Sequence, residues 1–259
     1  MKELYTVVTG ASQGLGKSFA YELAQRNENL ILVSLPNQNL RELCMELQSR
    51  FKIKIHSFEI DLTRKSNVLK LASWINDNFN LKMLINNAGI GGTKEFEKAG
   101  VHYLDNIIQL NVMATSLLTH QVLPNLQRHH KAYILNISSL AAFSPIAYKT
   151  VYPASKAFVY SFSRGLYEEL KDTNVFVSVV NPGPMKTNDE VTKRIESQGF
   201  FAKMTSLDPD QVAVFCLNRL EKRDTVIMVN QFSWLFLKIL PVWFKLPMLS
   251  NKIKKELAL

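Results

Sequence analysis

The sequence predicts an α/β fold, a doubly wound parallel sheet of about seven strands with helices on both faces, on three observations. Short Val/Ile/Leu-rich runs alternate with segments of helix length from the start to about residue 180. The first run ends in a glycine-rich turn, Thr9 to Gly16, that opens directly into a helical pattern. No repeat, low-complexity tract or compositional break divides the 259 residues, so one domain accounts for most of the chain.

Taken in order, Leu4 to Thr9, Leu30 to Ser34, Ile53 to Phe58, Met83 to Asn86, Ala132 to Asn136 and Val175 to Val180 read as strands covered on both faces. Leu15, Phe19 and Leu23, and then Leu40, Leu43 and Leu47, recur at helical spacing between them. Such alternation implies right-handed crossovers. Asn181-Pro182-Gly183-Pro184 breaks the rhythm, and the polar segment Met185 to Ser206 follows. Asp208-Pro209, an N-cap and first-turn pair, opens a helix to about Leu220, and Thr225 to Val229 makes a seventh strand. The expected organisation is a domain over 1–230, with 184–206 as a lid on the substrate site, and an apolar and basic extension over 231–259.

Composition narrows the function classes. Apolar residues make up 47% and charged ones 20%, which excludes disordered, collagenous and polytopic membrane chains. The net charge of +9 suits an anionic cofactor, an anionic membrane surface or nucleic acid. The last is discounted, because no nucleic-acid motif occurs and the lysines are scattered outside the tail. Cys44 and Cys216 stand far apart, which indicates neither a disulfide framework nor a zinc cluster. The five histidines lack ligand spacing, so no metal is expected. A reducing, cytoplasmic setting fits the two cysteines and the start Met1-Lys2-Glu3, which leaves no room for a signal peptide.

Thr9-Gly10-Ala11-Ser12-Gln13-Gly14-Leu15-Gly16 follows a strand, opens a helix and sits in the first βαβ unit, the context a dinucleotide loop requires in a Rossmann-type fold. Glycines at 10, 14 and 16 let the backbone approach a pyrophosphate whose charge meets free N–H groups at the helix start. The end of the second strand, where an acid selects NAD through the ribose, reads Ser34-Leu35-Pro36-Asn37. Neither the acid nor an arginine is there. Ser12, Ser34 and Asn37 can bond a phosphate, so NADP is the expected cofactor, with NAD the alternative.

The second constellation is Asn136-Ile137-Ser138-Ser139 ahead of Tyr152-Pro153-Ala154-Ser155-Lys156. Tyr152 and Lys156 are four apart and share one face of a helix. The ammonium lowers the phenol's pKa from about 10, so Tyr152 can give a proton to a carbonyl oxygen or take one from an alcohol. Ser139 can hydrogen-bond that oxygen.

Together these segments resemble the short-chain dehydrogenase/reductase family over roughly residues 4 to 230. Thr9 to Gly16, Asp61-Leu62, Asn86-Asn87-Ala88-Gly89, Asn111, Ser139, Tyr152-x-x-x-Lys156 and Pro182-Gly183 stand in the family's order and spacing. The resemblance implies Tyr152 as catalytic acid/base and Ser139 as the residue that orients the carbonyl. It implies Lys156 on the nicotinamide ribose and Asn111 holding a relay water. Asp61 and Leu62 would lie near the adenine, Asn87, Ala88 and Gly89 beside the cofactor, and Pro182, Gly183 and Thr187 around the nicotinamide. Ser138 reads as structural. Leu35 departs from members that carry arginine there. The resemblance also implies a homodimer or homotetramer built on long helices around 101–127 and 150–171.

The function expected is hydride transfer between NAD(P)(H) and a carbonyl or secondary alcohol, here reduction of an apolar ketone or aldehyde by a Ser-Tyr-Lys mechanism. The alternatives are a catalytically idle nucleotide-binding regulator, and a peripheral membrane enzyme acting on lipid-derived carbonyls. Residues 232–259 bear on the last. Their Trp, Phe and Leu residues are interrupted by Lys238, Pro241, Lys245 and Pro247, so no run spans a bilayer. They either lie in a membrane interface or cover a substrate pocket or subunit contact with lysines snorkelling to water.

Overall fold

The computed structural model describes residues 3–185 and 207–256. Its strands are β1 (Leu4–Thr9), β2 (Asn29–Ser34), β3 (Ile55–Glu59), β4 (Asn80–Asn86), β5 (Ala132–Ile137), β6 (Val175–Asn181) and β7 (Val226–Met228). They form one parallel sheet in the order β3-β2-β1-β4-β5-β6-β7. Each is one of the seven strands expected from the apolar runs. Winding reverses between β1 and β4, and the crevice outside their carboxyl ends is where open α/β sheets take ligands.

The helices are α1 (Gly14–Gln25), α2 (Leu40–Arg50), α3 (Lys65–Asn78), α4 (Val101–Ile108), α5 (Thr115–Leu126), α6 (Val151–Leu170), α7 (Pro209–Glu221), α8 (Gln231–Ile239) and α9 (Val242–Glu256). Strand periodicity divides the core between them. Val8, Leu32 and Leu135 pack with residues of α1, α2 and α7 on one face of the sheet. Val7, Val33 and Ile134 pack with α3, α5 and α6 on the other. Both faces are therefore dry, as continuous apolar strands demand.

A chain of polar side chains crosses this core. The Asn86 amide on β4 donates to Thr119 on α5 and to Asn136 on β5, both at 2.8 Å, and Asn136 donates to Ser163 on α6 at 2.9 Å. The chain of bonds satisfies side chains that would otherwise be costly to bury, and it locks the sheet to two helices.

One expectation needs correction. The single helix over 101–127 is instead α4, a π-helical turn at Gln109–Ala114, and α5. The tail folds as two helices, since Pro241 has no N–H to continue α8. The lid proposed for 184–206 lies, from residue 186, outside the described residues, as does Thr187.

Candidate active site

The glycine turn is fastened to the end of β4. Thr9 Oγ1 accepts the N–H groups of Asn87 and Ala88, each at 3.0 Å, and the Asn87 amide donates back to the carbonyls of Thr9 and Gly10 at 2.9 and 3.2 Å. Gly10 takes φ +66°, the left-handed region glycine enters without strain. At Gly16 a Cβ would stand 2.0 Å from the Gly10 carbonyl oxygen, so no side chain is admissible. Helix α1 then starts at Gly14 with Gln13 extended and no side-chain cap on its N–H groups. Bare backbone followed by an uncapped helix start fits the pyrophosphate of a dinucleotide. Ser12 is half-buried in this turn, and Leu15 is buried in the core beneath it.

Beyond the turn lies a cleft of about 430 Å³ whose lining includes Ser12, Gln13, Lys17, Asn37, Glu42 and Glu46. Of the hydroxyls and amides expected at a phosphate, Ser12 and Asn37 line it. Ser34 is buried and its hydroxyl donates to the Leu35 carbonyl at 2.9 Å. Leu35 is exposed. Lys17, on the outer face of α1, was missed by sequence reading, although its place one residue past the last motif glycine was a usable signal. Asp61 Oδ1 accepts the Thr63 N–H and hydroxyl at 2.9 and 2.7 Å, fixing the turn after β3, and Leu62 is buried in the core.

The other side of the crevice is built from β5, α6 and the π turn. Ser138 Oγ donates to the Lys156 carbonyl at 2.7 Å, a structural bond. Ser139 begins a 3₁₀ turn, Leu140–Phe143, and its oxygen accepts the Ala141 N–H at 3.1 Å. The Leu140 N–H in turn donates to the Pro182 carbonyl at 2.9 Å, which holds the segment after β6 against the serine turn, and the half-buried Gly183 lies against Leu140 and Leu207.

One turn apart on α6, Tyr152 is half-buried and Lys156 is buried. The Lys156 ammonium donates to the Ile137 carbonyl at 2.8 Å and lies 6.0 Å from the Tyr152 ring centre. Burial pushes its pKa down to about 8. Asn111, inside the π turn, uses its amide as a clamp. Its Oδ1 accepts the Ile90 N–H at 2.9 Å, while its Nδ2 donates to the Ile90 carbonyl at 2.8 Å and to Ser155 Oγ at 2.9 Å. Ser155 passes the connection on, donating to the Tyr152 carbonyl at 2.7 Å.

The segment after β4 covers this group without filling it. A Cβ on Gly89 would sit 3.1 Å from Asn111 Oδ1 and 3.2 Å from the Lys156 ammonium, and one on Gly91 would lie 3.0 Å from the Tyr152 ring. Gly89 and Gly91 are both exposed, so this stretch brings bare backbone against the tyrosine ring and the lysine ammonium. Ser155 and Gly91 are the positioning residues that sequence reading passed over. Ser155 lies inside the Tyr152-to-Lys156 segment and was within reach; Gly91 carried no motif.

Comparisons with known proteins bear on the family and the fold. A family model described as short chain dehydrogenase matches residues 5–198. The chain is 34% identical over 194 residues to a very-long-chain 3-oxoacyl-CoA reductase of Bos taurus, covering 73% of this chain and 62% of the bovine one. It therefore spans less than two thirds of that relative. It is also 30% identical over 188 residues to an oxidoreductase of Staphylococcus epidermidis, covering 72% of this chain and 80% of the relative. Among solved structures, the bulky-bulky ketone specific alcohol dehydrogenase of Comamonas testosteroni superposes with a TM-score of 0.79 at 26% identity, over 92% of this chain and 91% of that one. A short-chain dehydrogenase of Sphingobium yanoikuyae in complex with NADPH gives 0.79 at 26% identity, over 88% of each.

Proposed function

The chain belongs to the short-chain dehydrogenase family, and from that premise we propose that it reduces an apolar ketone or aldehyde with NADPH. The carrying observation is the buried Lys156 ammonium, pinned to the Ile137 carbonyl beside the Tyr152 ring. A cation fixed there stabilises a phenolate, so Tyr152 can give its proton to a substrate oxygen. Ser139 has its oxygen occupied by the Ala141 N–H, which leaves the hydroxyl hydrogen for a substrate carbonyl.

A bound cofactor would supply the hydride to the carbonyl carbon. The Tyr152 hydroxyl delivers the proton to the oxygen, which completes the alcohol; in the reverse direction the phenolate takes the proton back. Lys156 keeps the phenolate stable and would also bond the nicotinamide ribose. Asn111 keeps one acceptor lone pair on Oδ1 after its three bonds, enough to hold a relay water behind Lys156. Thr9, Gly10, Gln13, Gly14 and Gly16 would hold the pyrophosphate, with Asn87, Ala88 and Gly89 along the middle of the dinucleotide. Asp61 and Leu62 would flank the adenine, and Pro182 and Gly183 the nicotinamide.

For the 2′-phosphate the reading rests on Lys17, Ser12 and Asn37 lining one cleft. Apolar substrates are favoured by the activities of the relatives above. Copies of the chain pair through α4 and α6, where Val101, Ile108 and Phe158 are exposed. Tyr152→Phe tests the mechanism. It keeps the ring, so NADPH binding stays within about twofold while turnover of an apolar ketone falls about 10³-fold. Full retention of turnover would sink the mechanism.

A further inference from the structure

The C-terminal helix pair has no place in the reaction just described, and its surface is unlike the rest of the molecule. Phe232, Leu235 and Ile239 recur at three- and four-residue spacing on α8 and share one face. All three are exposed, Phe232 at 89% and Ile239 at 68%. Past Pro241, α9 begins with Val242, Trp243 and Phe244, also exposed, Trp243 at 76%. Large apolar side chains gathered in so short a stretch mark a surface that meets something.

Charge identifies the partner. Residues 231–259 hold five lysines and one glutamate in a chain of net charge +9. Lys238 is exposed with its ammonium 4.8 Å over the Trp234 ring, and Lys254 is exposed on α9. An aromatic and aliphatic face edged with ammonium groups matches the boundary of an anionic lipid layer. A second copy of the chain would set one strongly cationic tail against another. Among the described residues no helix is long and apolar enough to cross a membrane, so the match is to a helix pair lying on the surface.

The pair is also oriented. Lys245 does not snorkel outward as expected of the tail lysines. It is 5% exposed, and its ammonium donates to the carbonyls of Phe143 at 2.7 Å and Leu237 at 2.6 Å. Ser250 Oγ accepts the Ala147 N–H at 3.1 Å, and Ile253 is buried. These contacts fasten α9 to the segment that follows Ser139 and tie α8 to α9. The polar anchors turn inward and the apolar residues are left outward.

We propose that α8 and α9 form a docking face for an anionic lipid surface, held by Lys245 and Ser250 against residues 143–147 at the rim of the active site. The proposal is independent of the reaction assigned above, and its test uses no turnover. The full chain is sedimented with vesicles of phosphatidylcholine containing about one third phosphatidylglycerol, and with phosphatidylcholine alone, at low and high salt. Tryptophan emission is followed in parallel.

The expected result is binding to the anionic vesicles at low salt, with a blue shift as Trp243 leaves water, and about a tenfold loss of binding at high salt. The combined variant Phe232→Ser, Ile239→Ser, Trp243→Ser removes exposed side chains only. It should melt like the parent and bind NADPH equally, yet lose at least about tenfold in vesicle binding. Failure of the parent chain to bind either vesicle overturns the proposal, as does binding that the variant leaves unchanged. A lipid-free dimer that the variant dissolves would also overturn it, by assigning the face to a second copy.

Discussion

The active-site crevice and the C-terminal helix pair meet opposite demands. In the crevice three of the positioning groups are tied to main chain: Lys156 to Ile137, Asn111 to Ile90, Thr9 to Asn87 and Ala88. Backbone partners have no rotamers to lose, so the geometry stands ready before any ligand arrives. In the helix pair Lys245 and Ser250 bond the domain through the main chain of Phe143 and Ala147, and the large side chains named above face outward. Proton transfer needs sub-ångström placement, whereas a fluid surface asks only for area and charge, and the two regions are built to those tolerances.

The largest effect that would break this comparison is at Lys156. Lys156→Met leaves the phenol without its cation, and turnover should fall about 10²- to 10⁴-fold. The same variant gives a sharper test in the cofactor-free protein. The folded-state pKa of about 8 lies below the ordinary 10.5. The unfolded chain therefore binds the extra proton between those values, and the parent protein gains stability as pH rises from about 8 to about 10.5. The gain is about 3 kcal/mol, and Lys156→Met should lack it. A parallel rise in denaturant midpoint for both proteins would show that burial of the ammonium carries no such cost.

Next in size is the cofactor cleft. Lys17→Met should weaken NADPH about tenfold and leave NADH within about twofold, read by titrating nicotinamide fluorescence at one salt concentration. Equal losses for both cofactors would remove the phosphate from that cleft.

The smallest effect sharpens the other half of the comparison. Lys245→Met leaves two carbonyls without their donor, at a cost of about 1 kcal/mol that should stay local. Amide exchange should quicken over α8, α9 and residues 140–147 while β1 to β5 keep their protection. A uniform loss of protection would mean that the tail is part of the global fold.

Much of this molecule was legible before any coordinates, and the reason differs by region. β1 to β7 were readable because strands covered on both faces must be apolar along their whole length, so Val175 to Val180 announces itself. The glycine turn and the Tyr152/Lys156 pair were readable because their chemistry fixes residue type and spacing together. Helices α8 and α9 were not, since Pro241 and Pro247 disrupt the periodicity and Pro247 is nonetheless accommodated inside α9. The inward course of Lys245 was beyond reach too, because its two acceptors are main-chain carbonyls, and those carry no signature in side-chain identity. Ser34 misled for a related reason: its type fits a phosphate, but its burial commits the hydroxyl to Leu35.

The π turn at Gln109–Ala114 shifts the phase of the helix it interrupts. Each residue advances a regular helix by about 100°, so a turn that closes around one more residue acts as a gear tooth inserted in the shaft. It sets α4 and α5 at angular offsets that no single straight helix provides, and it delivers the Asn111 amide to the Ile90 backbone and Ser155. Removing one residue from this turn would let a continuous helix form, with better backbone bonding and the asparagine rotated off its clamp. A more regular helix, gained at the loss of the site, is the outcome such a deletion should produce.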